Sequence, residues 1–207
     1  MTKKLEFFFD YVSPYSYLAN SQLNSMKGIE IQYRPIFLGG VMEATGNKPP
    51  GTLPVRGKYL TKDIKRWAKH YGIPFKFNSI FPQNTLKSLR LSLAAQNHGV
   101  FNNIHQSLFD AMFVYNQDLS QDNVLVEIIK KNSLDDYRLM DEIENSSIKS
   151  ALKKNTDEAI TRGVFGTPTF FIDEEMFFGN DRFEFIKKVL SEELKDYSTP
   201  NSAITGV

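Results

Sequence analysis

An apolar run that stops at a Ser-Pro pair constrains this chain more than any other feature. Leu5, Phe7, Phe8, Phe9 and Val12 crowd β-formers into eight positions, which predicts a buried strand. Ser13-Pro14 breaks it. A Ser caps orphan N–H groups, and Pro fits the first helical position. Tyr15 to Met26 then reads as helix, with Leu18, Leu23 and Met26 as its apolar positions. The strand therefore delivers Ser13 to a helix N-terminus. Free N–H groups and the helix dipole favour an anion there, and a thiolate held there has a lowered pKa. The ordinary use of such a Ser is as a plain N-cap.

The chain has no Cys. That removes disulfides, Cys-based zinc sites and any internal redox couple. His70, His98 and His105 lack the spacing of a zinc helix motif, so no metal is expected. A formal charge of +1 gives no sign of nucleic-acid binding. No segment reaches about 18 apolar residues, and the N-terminus lacks an apolar leader core. The expectation is an untargeted cytoplasmic protein with no membrane partner. Its 207 residues suffice for one domain carrying an insertion.

Residues 29 to 37 alternate apolar and polar over their first six positions, predicting a second, half-buried strand parallel to the first across a helical crossover. Leu38-Gly39-Gly40 is expected to leave the sheet, and the Gly- and Pro-dense residues 44 to 58 to form a long loop. Residues 59 to 72 predict an amphipathic helix with Ile64, Trp67, Ala68 and Tyr71 inside. Lys62, Lys65, Arg66 and Lys69 lie outside, a solvated face in its ordinary reading. From Asn84 to about Thr161 the pattern is helical, punctuated by Gly99, Asn116 and Asn132-Ser133. Thr169 to Phe178 predicts a hairpin turning at residues 173 to 175. A last helix starts at Gly179-Asn180-Asp181-Arg182, with Asn180 or Asp181 as its cap and Phe185, Ile186, Val189 and Leu190 as its apolar face. The tail from Tyr197 is expected to fray.

Three stretches carry a family resemblance. Phe9-Asp-Tyr-Val-Ser-Pro-Tyr-Ser-Tyr-Leu-Ala19 resembles the opening of the 2-hydroxychromene-2-carboxylate isomerases and kappa-class glutathione transferases, on the DsbA-like branch of the thioredoxin superfamily. Gly46-Asn47-Lys48-Pro49-Pro50 resembles a kappa-class loop. Gly163-Val-Phe-Gly-Thr-Pro-Thr169 resembles the family's cis-proline segment. The resemblance implies an α/β, thioredoxin-like (DsbA-like) fold. Its discontinuous thioredoxin-like domain, which holds the mixed sheet, takes residues 1–60 and 160–200. A helical domain, residues 61–159, is inserted between the βαβ and ββα halves, and residues 201–207 form a flexible tail.

The resemblance also implies glutathione as the outside thiol. Thiol oxidoreductases of this branch carry Cys-x-x-Cys where this chain has Ser13-Pro14-Tyr15-Ser16. By analogy, Ser13 donates to the glutathione sulfur. Asn47 binds the glutathione backbone or orients its sulfur, and Arg56 meets the glycine carboxylate. Thr167, before Pro168, offers its main chain to the cysteine backbone. Asn180 and Asp181 hold the γ-glutamyl end. Lys48 or Arg56 would receive a substrate carboxylate. The implied activity is reversible thiol addition to an unsaturated aromatic acid. A transferase acting on electrophiles is the alternative, and a non-catalytic thioredoxin-like binding protein a further one. The Arg66-Trp67-Ala68 helix resembles the isomerases, while the Asn47 loop resembles the kappa class. A homodimer is expected by analogy alone.

Overall fold

The computed structural model describes residues 3–191; the expected tail lies outside them. Strand β1 (Lys3–Phe9) runs into helix α1 (Pro14–Leu23) and returns through β2 (Ile29–Pro35). β1 and β2 pair in parallel, with Phe7 opposite Tyr33. The hairpin β3 (Thr169–Ile172) and β4 (Glu175–Phe178) completes a four-stranded sheet of order β2-β1-β3-β4. β3 lies antiparallel to β1, with Phe7 opposite Phe170. β1 is thus central, as a strand with Leu5, Phe7, Phe8 and Phe9 all fully buried must be.

The alternation of β1 decides what packs on each face. Phe7 stacks on Phe9 and Phe170, with ring centroids 5.1 and 5.0 Å apart, and this side joins the large core that includes α1 and the inserted helices. Phe8 points the other way, into a smaller core with Ile36, Val41, Ala159 and Phe171. Glu6 bonds Arg34 at 2.9 Å and Arg162 at 2.8 Å, and the Arg162 guanidinium lies 3.8 Å from the centroid of the Phe171 ring. These contacts tie β1 and β2 to the segment that leads into the hairpin.

Two local expectations fail between the strands and the insertion. Leu38-Gly39-Gly40 does not simply leave the sheet; it opens helix α2 (Leu38–Thr45). The glycines are close-approach positions: a Cβ on Gly39 would lie 2.8 Å from the Phe37 ring. Residues 44 to 58 are not one loop either. They hold the end of α2, a 3-10 turn at Pro50–Thr52, and the start of α3 (Pro54–Tyr71). Pro54 sits where a proline starts a helix rather than where it breaks one. The expected domain boundary at 60/61 falls inside α3, which packs on α1 through Leu18, Ile64 and Ala68.

The inserted stretch contains α4 (Leu86–Asn97), α5 (Phe101–Phe113), α6 (Asp122–Lys131), α7 (Asp136–Glu142) and α8 (Ser146–Thr161). Gly99, Asn116 and Ser133 mark turns, each in the left-handed region with φ of 68°, 56° and 58°. The last helix, α9 (Phe183–Leu190), begins later than expected. Phe183 therefore takes the buried place against Phe170, and Phe185 is 49% exposed rather than part of the apolar face.

His105 sits in the large core, ringed by Phe9, Tyr33, Phe101 and Phe109. It lies 2.9 Å from the Tyr11 hydroxyl and 3.0 Å from Asn20 Oδ1. A neutral ring fits, accepting at Nδ1 from Tyr11 and donating from Nε2 to Asn20. Burial pushes its pKa down to about 3. The folded chain then refuses a proton that the unfolded chain accepts below about 6.5, so this group's contribution to stability is lost as pH falls from about 6.5 toward 3. We expect a loss of about 1.5 kcal/mol between pH 6.5 and 5 from this residue alone. Urea unfolding of wild type and His105→Phe at both pH values measures it; equal pH slopes for the two would remove His105 as the cause.

Candidate functional site

The end of β1 and the start of α1 form a tight turn. Ser13 N–H donates to Asp10 C=O at 3.0 Å. Ser13 is the N-cap of α1, in extended backbone, with Pro14 at the first helical position. Its Oγ accepts from Ser16 N–H at 3.1 Å. The cap and the delivery of Ser13 to a helix start are both as the sequence predicts. The N-terminal N–H groups of a helix have no partner inside it. Here Pro14 has none to offer and Ser16 is capped by Ser13. Tyr15 N–H is left at the turn without an intrahelical acceptor.

The Ser13 hydroxyl also donates to the Thr167 carbonyl at 3.0 Å. This joins the two stretches that the sequence singles out at opposite ends of the chain, 154 positions apart. The Thr167–Pro168 peptide bond is cis. Thr167 Oγ1 is buried and makes no hydrogen bond, and Pro168 C=O accepts from Gly179 N–H at 3.0 Å. Asn47 reaches the same segment: its Nδ2 donates to Phe165 C=O at 2.7 Å. Gly46, in a left-handed conformation with φ of 71°, ends α2 and turns the chain toward that contact.

Asn180 and Asp181 divide differently from expectation. Neither caps the last helix: its cap position is Arg182, without a side-chain bond. Asn180 is buried and held from outside, its backbone carbonyl accepting from the Tyr71 hydroxyl at 2.9 Å and its Nδ2 donating to that hydroxyl at 3.3 Å. Asp181 is exposed and pairs with Arg182 at 2.6 Å. Burial raises the pKa values of Tyr15 and Tyr71; at Tyr15 the Asp63 bond and charge add to it, and the charge of Asp181 adds a smaller push at both. Lys48 and Arg56 are exposed; the Lys48 backbone N–H donates to Asn47 Oδ1 at 2.8 Å, but no side-chain hydrogen bond or ion pair among the described residues joins either cation to the Ser13 cluster. Arg56 stands in the first turn of α3.

Three residues that set this geometry escape a reading of the sequence. Tyr71 fixes Asn180 from α3, although the pattern offers it only as an apolar position of an amphipathic helix. Asp63 accepts from the Tyr15 hydroxyl at 3.0 Å. Asp10 is fully buried at the end of β1, where it accepts from Val12 N–H at 3.1 Å, Leu38 N–H at 2.9 Å and the Thr85 hydroxyl at 2.6 Å. Burial raises its pKa and those three bonds pull it back in part. An acid closing an apolar run is the available signal for it. No group of three or more potential metal ligands occurs among the described residues, and none of their helices is long and apolar enough to cross a membrane.

The cluster can hold a small polar ligand along the cis-proline segment and an anion at the start of α1. The model of the DSBA-like thioredoxin domain matches residues 4–191. A 2-hydroxychromene-2-carboxylate isomerase of Sphingobium xenophagum is 30% identical over 92% of this chain and 99% of its own. Human glutathione S-transferase kappa 1 is 28% identical over 93% and 92%. A solved 2-hydroxychromene-2-carboxylate isomerase superposes with a TM-score of 0.85 at 28% identity, covering 92% of this chain and 95% of that one. A probable DsbA oxidoreductase from Streptomyces coelicolor shares the fold at TM-score 0.78 and 16% identity. With its two diagnostic ends joined at Ser13 and Thr167, the chain belongs to the DSBA-like thioredoxin family, in the company of the 2-hydroxychromene-2-carboxylate isomerases and kappa-class glutathione transferases.

Proposed function

We propose that this protein is a glutathione-dependent isomerase, one that activates the glutathione thiol for reversible attack on an unsaturated aromatic acid. The observation that carries this is the Ser13–Thr167 hydrogen bond at a helix N-terminus, in a chain without cysteine. The thiol must then come from the ligand, and a helix N-terminus beside a hydroxyl donor favours its thiolate form.

The bond also suggests how the ligand enters. Glutathione's cysteine N–H replaces the Ser13 hydroxyl as donor to the Thr167 carbonyl. The freed hydroxyl rotates and donates to the sulfur beside Tyr15 N–H. One donor exchanges for another at Thr167, and the gain falls on the thiolate as a charge-assisted hydrogen bond. A Ser hydroxyl is not itself a base at neutral pH, so the thiol proton leaves to solvent as the thiolate forms. The thiolate then adds to the electrophilic carbon, the substrate reorganises, and the thiolate departs. Asn47 and Asn180 bind the glutathione backbone and its γ-glutamyl end, and Asp181 exchanges Arg182 for the ligand's ammonium. Lys48 and Arg56, exposed and without an ion pair among the described residues, receive carboxylates of glutathione and substrate.

The kappa-type transferase reading, in which the thioether stays on the product, is favoured by one specific feature, the Asn47 loop docked on Phe165. Calorimetric titration with glutathione and S-hexyl-glutathione, followed by product analysis with an unsaturated aromatic acid and glutathione, separates the readings. Catalytic turnover without consumption of glutathione supports the isomerase; stoichiometric conjugation supports the transferase. Absence of binding to either ligand would leave a non-catalytic binding protein. Tyr71→Phe should weaken glutathione binding about 3- to 10-fold, through loss of about one hydrogen bond's worth of hold on Asn180. The thiol pKa of bound glutathione should not move. A moved pKa with unchanged affinity would remove Tyr71 from this role.

A further inference from the structure

Helices α2, α4 and α8 enclose a groove of about 500 Å³, which shares no residue with the Ser13 cluster. Phe37, Leu86, Leu152 and Ile160 give it apolar walls. Small-molecule sites typically have volumes of about 300–1,000 Å³ and such a lining, with few polar groups fixing orientation.

Its polar lining residues are Glu43, Arg90, Lys149, Lys153, Thr156 and Asp157, and of these Arg90 is the one with a buried, unpartnered N–H. Among the described residues its guanidinium makes no hydrogen bond and no ion pair, and its Nε is buried without a partner. The nearby cations are already matched: Lys149 bonds Glu144 at 2.6 Å and Lys153 bonds Asp157 at 2.5 Å. Glu144 feels a weak pull from Arg90 but is bonded to Lys149. Glu43 lines the exposed rim. A guanidinium held against apolar walls with an unsatisfied N–H lacks its usual planar acceptor.

We propose that this groove is a second binding site, which takes a carboxylate carried on a flat apolar body. The carboxylate forms paired hydrogen bonds with the Arg90 fork, and the ring lies between Phe37 and the aliphatic side chains of α4 and α8. An aromatic body suits the Phe37 wall, whose ring packs closely on Gly40: a Cβ there would come to a tight 3.3 Å of it. A bare inorganic anion would leave the apolar walls wet, and an uncharged ring would leave Arg90 unpaired. The site does not depend on the glutathione reading.

The test uses the full chain without glutathione. Calorimetric titration with 2-naphthoate should show saturable binding. The uncharged 2-naphthalenemethanol and inorganic phosphate should each bind at least about tenfold more weakly. Arg90→Met, which removes no hydrogen bond from the fold, should weaken 2-naphthoate by a similar factor. Ala44→Trp, placed on the exposed rim to fill the groove, should do the same with Arg90 intact. The double variant Lys48→Ala/Arg56→Ala should keep the Arg90-dependent binding of 2-naphthoate, whatever it loses at the candidate active site. No wild-type binding, unchanged binding in Arg90→Met, phosphate as strong as 2-naphthoate, or a loss confined to the Lys48/Arg56 variant would each overturn the proposal. The last would move the carboxylate to the candidate active site.

Discussion

In Ser13→Ala, the thiol of bound glutathione should titrate about one to two pH units higher than in wild type, and turnover at neutral pH should fall about 10- to 100-fold. A hydrogen bond to a charged acceptor contributes about 1.5–3 kcal/mol, and one pKa unit corresponds to about 1.4 kcal/mol. Affinity for glutathione itself should change less than about threefold. The variant leaves the Thr167 carbonyl free for the ligand's N–H, where wild type must first give up its own donor. The variant also loses the cap on Ser16 N–H, at about 1 kcal/mol of stability. The readout is the thiolate absorbance of bound glutathione against pH, beside a calorimetric Kd. The sign follows from which state the bond stabilises. A donor to sulfur favours the charged thiolate and holds the thiol pKa down; removing it lets the pKa rise. An unchanged thiol pKa in the variant would assign thiolate stabilisation to the α1 N-terminus alone, with Ser13 reduced to a cap.

The parts of this site legible in the sequence are those whose chemistry is local. Ser13-Pro14 announces a cap and a helix start in two residues, and Thr167-Pro168 lies in a motif of seven. Their meeting is a matter of topology, and it follows from placing the βαβ and ββα halves in one sheet. What stays hidden is held by contacts between distant segments. Asn180 looks like a cap from its neighbours, yet its backbone carbonyl and side-chain amide are both engaged by Tyr71 from α3. Gly39-Gly40 and the prolines from 49 to 54 look like breakers. In the fold, the glycines admit the Phe37 ring and Pro54 starts a helix. The same residue types serve both uses, and only the packing partner tells them apart. Phe185 shows the register version of this. Moving the helix start from Gly179 to Phe183 turns a different Phe inward.

Asp10→Ala should cost about 3–5 kcal/mol of stability, a large share of the 5–15 kcal/mol that holds a domain folded. One side chain there accepts from three donors that no other group serves: Val12 N–H, Leu38 N–H and the Thr85 hydroxyl. Each buried donor left without a partner costs about 1–3 kcal/mol. The three belong to the Ser13 turn, the start of α2 and the residue before α4. Asp10 therefore joins the sheet to the insertion directly beneath the candidate site. The more informative variant is Asp10→Asn, which keeps the shape but must turn an NH₂ toward one of the three donors. It should lose less, about 1–2 kcal/mol.

The two forms also differ in how they respond to pH. Burial raises the Asp10 pKa above its ordinary value near 3.8. The folded chain then holds this proton at pH values where the unfolded chain has released it. Stability from this group is greatest in acid and declines as pH rises through the raised pKa. The amide of the Asp10→Asn variant has no such titration. The stability advantage of wild type over Asp10→Asn should thus be largest near pH 4 and shrink toward neutrality. Urea unfolding of both proteins across pH 4–8 gives the difference directly and cancels every other titrating group the two share. A gap that widens with pH would mean that the three donors outweigh burial and hold the carboxylate ionised. The anchor beneath Ser13 would then be a charge, adding to the local field against a thiolate, and the thiol pKa of bound glutathione should fall in Asp10→Asn instead of staying where it is.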